Sequence, residues 1–232
     1  MILAAPVMNL DYNTLLTGTP IQFSNSISLI IFLSLLSVIP FFLISVTSFL
    51  RITVVLGMLR SAMGTQQSPP NMVIISLALF MTIFIMAPVW QDIKVNALDP
   101  FNKGKITQEQ ALVKTIEPIR QFMFKQVSEK DLALFSEFAK LDLKKIKSRD
   151  DIPTYVLIPA FMISELKKAF MISFVIFLPF VLIDLLVSNI LLSLGMMMLS
   201  PVMISLPFKI LFFVLVDGFN LIVKGLMESY SR

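Results

Sequence analysis

The sequence predicts an all-α chain of long, proline-kinked helical hairpins with a small helical periplasmic insert, integral to a membrane-associated oligomer. Three observations carry that expectation. Of 232 residues, 56% are hydrophobic and only 15% charged, with a mean hydropathy of +0.86; a soluble domain holds about 25% charged residues. Four apolar segments approach or exceed the ~20 residues that cross a bilayer as a helix. Each contains a proline, which frees a carbonyl that needs a protein or water partner in lipid. Such helices suit an assembly better than lone spans.

Residues 1–26 form an N-terminal segment. No Lys or Arg precedes Gln22, Asp11 is present, and the apolar piece at 2–7 is brief. This does not read as an ordinary signal peptide. The first hairpin is expected over 27–90, from an apolar segment at 27–50 containing Pro40 and another at 72–90 containing Pro88. Arg51 and Arg60 flank their connection with no acidic residue to offset them, which places that side in the cytoplasm. Gly64 and Pro69-Pro70 predict a tight turn. There Gln66, Gln67 and Asn71 can bond free helix ends, or, with the arginines, ring a polar pore mouth.

Residues 91–168 form a polar insert, which this topology puts in the periplasm of a diderm bacterium. Thr107 and Gln110 have capping-box spacing and predict a helix start. Ser128 gives a weaker start, after which Leu132, Phe135, Phe138 and Ala139 are expected on one apolar face. The charged tract 142–151 reads as a linker, and Pro153 and Pro159 as helix breaks. The insert is too short for an independent catalytic domain with a large core.

The second hairpin is expected over 169–232, from segments at 169–194 and 204–223. Gly195 and Pro201 bound a loop carrying Met196, Met197 and Met198. Methionine is flexible and polarizable and refits around its neighbours, which suits a soft constriction; the bland alternative is packing in an apolar run. Asp184, Lys209 and Asp217 are charges embedded in these segments, each costing about 2.5–3.5 kcal/mol at mid-bilayer if unpaired. Lys209 and Asp217 sit about 80° apart in azimuth and two turns apart on a helix. Pairing of Asp184 with Lys209 across the hairpin, or pairing between subunits, is therefore favoured over a proton relay.

With no cysteine and no histidine, disulfides and thiolate chemistry are excluded, and the commonest metal ligand and general base is missing. No nucleophile elbow, zinc-protease helix, phosphate loop or dinucleotide-binding glycine run occurs. The net charge of +4 is too scattered for a nucleic-acid surface. The chain is expected to be no enzyme and to need no cofactor or metal.

Several motifs are longer than chance supplies: Gly64-Thr-Gln-Gln-Ser-Pro-Pro-Asn71, Phe84-Ile-Met-Ala-Pro88, Pro159-Ala-Phe-Met-Ile-Ser-Glu-Leu-Lys167, Asp184 within Leu182-Ile-Asp-Leu185, residues 195–209, and Phe213-Val-Leu-Val-Asp-Gly218. Over roughly residues 29–223 the chain resembles the FliP family of flagellar biosynthetic proteins. Phe219 stands where family members commonly carry tryptophan. The resemblance implies a core subunit of a type III export gate at the flagellar basal body in the inner membrane. It implies a ring of copies, expected to be five, assembled with FliQ and FliR and neighbouring FlhB, FlhA and the basal-body membrane ring. Unfolded exported proteins would pass through, with Met196, Met197 and Met198 as a gasket. Alternatives are the related injectisome subunit and an ion-coupled secondary transporter.

Overall fold

The computed structural model describes residues 25–65, 67–141, 151–196 and 198–231, and every regular element among them is helical. The elements are α1 (Asn25–Val46), α2 (Phe49–Ala62), α3 (Asn71–Ile93), a π-helical turn (Lys94–Leu98), α4 (Asp99–Asn102), α5 (Gln108–Gln126), α6 (Glu129–Phe138), α7 (Thr154–Ser193), α8 (Pro201–Leu215) and α9 (Gly218–Ser231). The chain is thus all-α, as its sequence predicts. Among the described residues, three helices are long and apolar enough to cross a membrane, or four if α8 and α9, bent by 63°, count as one span.

The chain divides into two compact units, the first ending at Phe42 and the second starting at Leu43. In the first, the described part is the uncharged body of α1, with Pro40 inside it. The second unit is built around α2, a helix that lies in the connection between the first two apolar segments. Ile52, Val55, Leu56, Leu59 and Ala62 are buried, and their i, i+3, i+4, i+7 spacing is that of one helix face. At 14 residues the helix is too short to register as a span, so its amphipathic period was the only available signal.

Ile52, Val55 and Leu56 pack with Ala169 of α7, with Ile74, Ala78 and Met81 of α3, and with Leu226 of α9. One end further on, Leu59, Ala62 and Met63 meet Phe180 of α7 and Phe213 of α8. α2 and α7 therefore run parallel. A separate cluster joins Met123 and Phe124 of α5 to Ile152 and to Val156, Leu157 and Phe161 at the start of α7.

Two expectations are corrected here. Pro153 does precede α7, but Pro159 does not break the helix: it lies inside α7, a single helix of 40 residues that also contains Pro179. An interior proline costs about 3 kcal/mol. Val156, Leu157, Ala160 and Phe161 around Pro159 are all buried, and burial of each larger side chain contributes about 1.5–3 kcal/mol. Phe138 is 77% exposed, whereas Leu132, Phe135 and Ala139 pack inward. At about 100° per residue Phe138 lies roughly 120° away from Leu132, off the face the other three share.

The insert is tied to α7 by a polar clasp. Thr107 and Gln110 form the expected capping box at the start of α5. At the start of α6, the Ser128 hydroxyl accepts from the Asp131 backbone N–H (3.2 Å) and donates to its carboxylate (2.7 Å). From α7, the Ser164 hydroxyl donates to the same Asp131 oxygen (2.7 Å), and Lys167 pairs with the other. Ser164 also accepts the Ser128 backbone N–H at 3.0 Å. Burial pushes the Asp131 carboxyl up, but the bonds from Lys167, Ser128 and Ser164 and the Lys167 charge outweigh it. Its pKa ends below the ordinary carboxylate range. A group whose pKa is depressed by folding stabilises above its unfolded pKa, and that contribution fades as pH falls toward the folded one. The detergent-solubilised protein is therefore expected to lose thermal stability as pH drops below about 4. Asp131→Asn should start lower at neutral pH and show a flatter acid dependence. Identical acid slopes for the two proteins would remove Asp131 from this account.

Candidate functional site

The loop between α7 and α8 is fixed at both ends by backbone chemistry. Gly195 adopts φ +73°, a conformation glycine reaches at least cost. Its N–H donates to the Leu192 carbonyl (3.1 Å) and that of Met196 to the Leu191 carbonyl (2.9 Å). This pair of bonds satisfies carbonyls that a helix end leaves open. Pro201 then starts α8, at the first helical position, where a missing N–H costs nothing. Met196 is 47% exposed and Met198 fully exposed, beside exposed Leu194, Leu199 and Met203. Met197 lies outside the described residues.

Behind the loop, two of the three embedded charges meet. Buried Lys209 donates to the Asp184 carboxylate (2.6 Å) and to the Ala62 carbonyl (3.4 Å), while buried Ser205 donates to the second Asp184 oxygen (2.5 Å). The ammonium sits at the C-terminal end of α2, where the helix dipole favours a cation. Gly64 is the neighbouring turn residue: a β-carbon there would lie 3.8 Å from the Lys209 nitrogen. Asp184 and Lys209 thus pair within one chain and fasten α7, α8 and α2 together. Asp217 is not brought to them. It turns the chain between α8 and α9 at φ +51° and accepts from the Asn220 side chain at 3.1 Å.

Arg51 and Arg60, grouped by sequence reasoning at the cytoplasmic-side turn, have separate roles. Arg60 does serve the turn, donating to Asn71 and to the Pro69 carbonyl (3.4 Å). Thr65 braces it through the Arg60 and Ser68 carbonyls at 3.2 and 2.5 Å. Gln67 is exposed, and Gln66 lies outside the described residues. Arg51 is only 1% exposed, because it shares the inward face of α2 with Val55, one turn on. Its Nε donates to Glu165 of α7 (3.0 Å), and a second nitrogen pairs with the other Glu165 oxygen. That nitrogen also reaches Gln126 of α5 at 3.0 Å. The remaining nitrogen donates to the Ser229 hydroxyl (2.9 Å) and carbonyl (3.4 Å) on α9. Tyr230 lies with its ring 3.8 Å from the guanidinium and donates its hydroxyl to Glu165 at 2.5 Å. Lys168 closes the cluster, donating to the Gln126 carbonyl at 2.6 Å and side chain at 3.1 Å.

Sequence reasoning gave Glu165 no role of its own and did not name Tyr230 at all. The available signal was an acid flanked by apolar residues in Met162-Ile-Ser-Glu-Leu166, which needs a buried cation somewhere in the fold.

These elements coincide with a known protein family. The FliP family model matches residues 32–226. The chain belongs to the FliP family. It is 51% identical over 223 residues to the flagellar biosynthetic protein FliP of Bacillus subtilis (strain 168), covering 96% of this chain and 100% of that one. The FliP of Aquifex aeolicus (strain VF5) is 46% identical over 207 residues, covering 89% and 87%. That of Borreliella burgdorferi is 43% identical over 228 residues, covering 97% and 87%. The FliP-family match takes in Arg51, Glu165, Asp184, Lys209 and the methionine loop.

The Arg51–Glu165 pair yields a prediction. Removing one partner leaves a buried charge uncompensated, typically costing about 3–5 kcal/mol, whereas replacing both with apolar groups is often near neutral. Arg51→Met and Glu165→Met are each expected to lower the thermal midpoint in detergent sharply, and the double variant to recover much of the loss. Additive losses in the double variant would count against direct pairing.

Proposed function

We propose that this FliP-family chain is a core subunit of the flagellar type III protein export gate. With copies of itself and the FliQ- and FliR-type subunits it would form the channel through which unfolded flagellar proteins leave the cell. FlhA, FlhB and the membrane ring of the basal body would surround it in the inner membrane, with the α5–α6 insert on the extracytoplasmic side. Met196, Met197 and Met198 would be the gasket of that channel, and Asp184 and Lys209 the charges that hold the gasket's base for assembly. Arg60, Gln67 and Asn71 would face the cytoplasmic side.

One observation carries this reading beyond the names of the relatives: Met196 and Met198 are exposed on a loop whose two ends are fixed. Exposed methionines are costly in water unless another surface covers them. A ring of copies supplies that surface. Unbranched thioether chains seal against one another, exclude water and ions by dewetting, and give way around a polypeptide of any sequence. Export then needs no chemistry from this chain, only a path that opens and recloses. The relatives with which it aligns are named as flagellar proteins, which favours the flagellar over the injectisome system. A proton-coupled transporter would need connected ionisable groups, and Asp217 bonds to Asn220 rather than joining the Asp184–Lys209 pair.

Two outcomes follow. Replacing Met196, Met197 and Met198 together with glycine is expected to make cells expressing the assembly leak ions, measured as membrane conductance; unchanged conductance sinks the gasket. Asp184→Asn or Lys209→Met should each reduce the yield of the full-sized complex on native gels, because the surviving partner stays buried without its counter-charge. Normal complex size for both variants would show that the pair is dispensable for assembly.

A further inference from the structure

α9 is held at its two ends and by one core side chain between them. Of its 14 residues only Gly218 and Leu226 are buried, and it leaves α8 at a bend of 63°. Both of its ends are specialised. At the start, Asp217 stands at φ +51°, its N–H donating to the Val214 carbonyl and its carbonyl accepting from Leu221, both at 3.1 Å. A β-carbon on Gly218 would fall 2.2 Å from the Phe213 ring, so no side chain fits at the bend. At the other end, Ser229 and Tyr230 reach the buried Arg51–Glu165 pair, and the Tyr230 hydroxyl lies 3.3 Å from the Ser48 carbonyl as well.

We propose that α9 is a hinged arm with a catch: Asp217 and Gly218 form the hinge, Ser229 and Tyr230 the catch on Arg51–Glu165, and the arm opens by drawing Leu226 off Ile52, Val55 and Leu56 while α2 and α7 stay packed on each other. Two further features support the proposal. Arg51 and Glu165 keep their own bonds to each other, and Arg51 keeps Gln126, when Ser229 and Tyr230 withdraw. Opening therefore strands no charge, which is what separates a catch from a structural core contact. The catch also borders open space. Tyr230, stacked on Phe122 of α5, lines with Met227 and Ser231 one side of a cleft of about 460 Å³ whose other side is Phe84 and Pro88 of α3, so α9 is not packed tightly against α3 along this stretch. This arm does not depend on the export role.

Hydrogen exchange by mass spectrometry on the full-length chain in detergent tests it, comparing the parent with Tyr230→Phe, Ser229→Ala and the double variant. Tyr230→Phe keeps the ring on Arg51 and Phe122 and removes only the hydroxyl. Amides of residues 218–231 are expected to exchange about tenfold faster when one charge-assisted bond is lost, and faster still in the double variant, while those of α2 and α7 stay at parental rates. Parental rates across 218–231 in the double variant would overturn the catch. Equal acceleration in α2 and α7 would overturn the hinge, since the arm would then be part of one cooperative core.

Discussion

Arg51 and Glu165 form a fully desolvated ion pair in the second unit, and most of that unit's geometry can be read as the set of conditions for keeping it. Taking two charges from water costs several kcal/mol per ion even after relaxation, recovered only if every remaining donor and acceptor is met. Here Gln126 of α5 meets Arg51 and Lys168 of α7 approaches Glu165 within the core, and Ser229 and Tyr230 of α9 add their bonds while that helix is docked. α2, α5 and α7 must therefore be in register at one point, and α9 joins them there when docked. An apolar core alone tolerates sliding; a planar guanidinium with fixed donor directions does not.

α7 carries that register along the unit. At 40 residues and 1.5 Å per residue it spans about 60 Å, and its polar contacts come in sequence: Ser164 and Lys167 clasp the insert, Glu165 and Lys168 the buried pair, and Asp184 the base of the methionine loop. Between them it leaves Phe170, Met171, Phe174, Val175 and Leu178 exposed. So large an apolar exposure is stable only against lipid or other subunits. The helix is thus specific where it touches its own chain and generic where it faces outward.

Much of this was legible in the sequence, and the remainder was hidden for definable reasons. Composition and segment length gave the all-α class, and local chemistry gave the helix starts at Thr107 and Ser128, because capping depends on residues three apart. The Asp184–Lys209 pair was one of two arrangements left open by helix geometry. α2 was missed because a short amphipathic helix lies beside segments of far stronger apolar signal. Pro159 misled because a local cost is visible in sequence, while the burial of Val156, Leu157 and Phe161 that offsets it is not. Arg51 was assigned to the turn on proximity in sequence; its partner Glu165 lies 114 residues away, beyond the reach of any local rule.

In the proposed gasket, a compliant seal requires an unyielding mount. Methionine side chains adapt because three rotatable bonds cost little to rearrange, yet a ring of them excludes water only if each backbone stays at a set distance from the next. The loop's two ends are held: Gly195 closes α7, Pro201 opens α8, and the Asp184–Lys209–Ser205 contacts hold the two helices beneath it. The softness the gasket needs would come from exposed methionine side chains such as those of Met196 and Met198. A loop soft in its backbone would lose the seal when a polypeptide passed and would have no fixed geometry to return to; one rigid in its side chains would not let it pass.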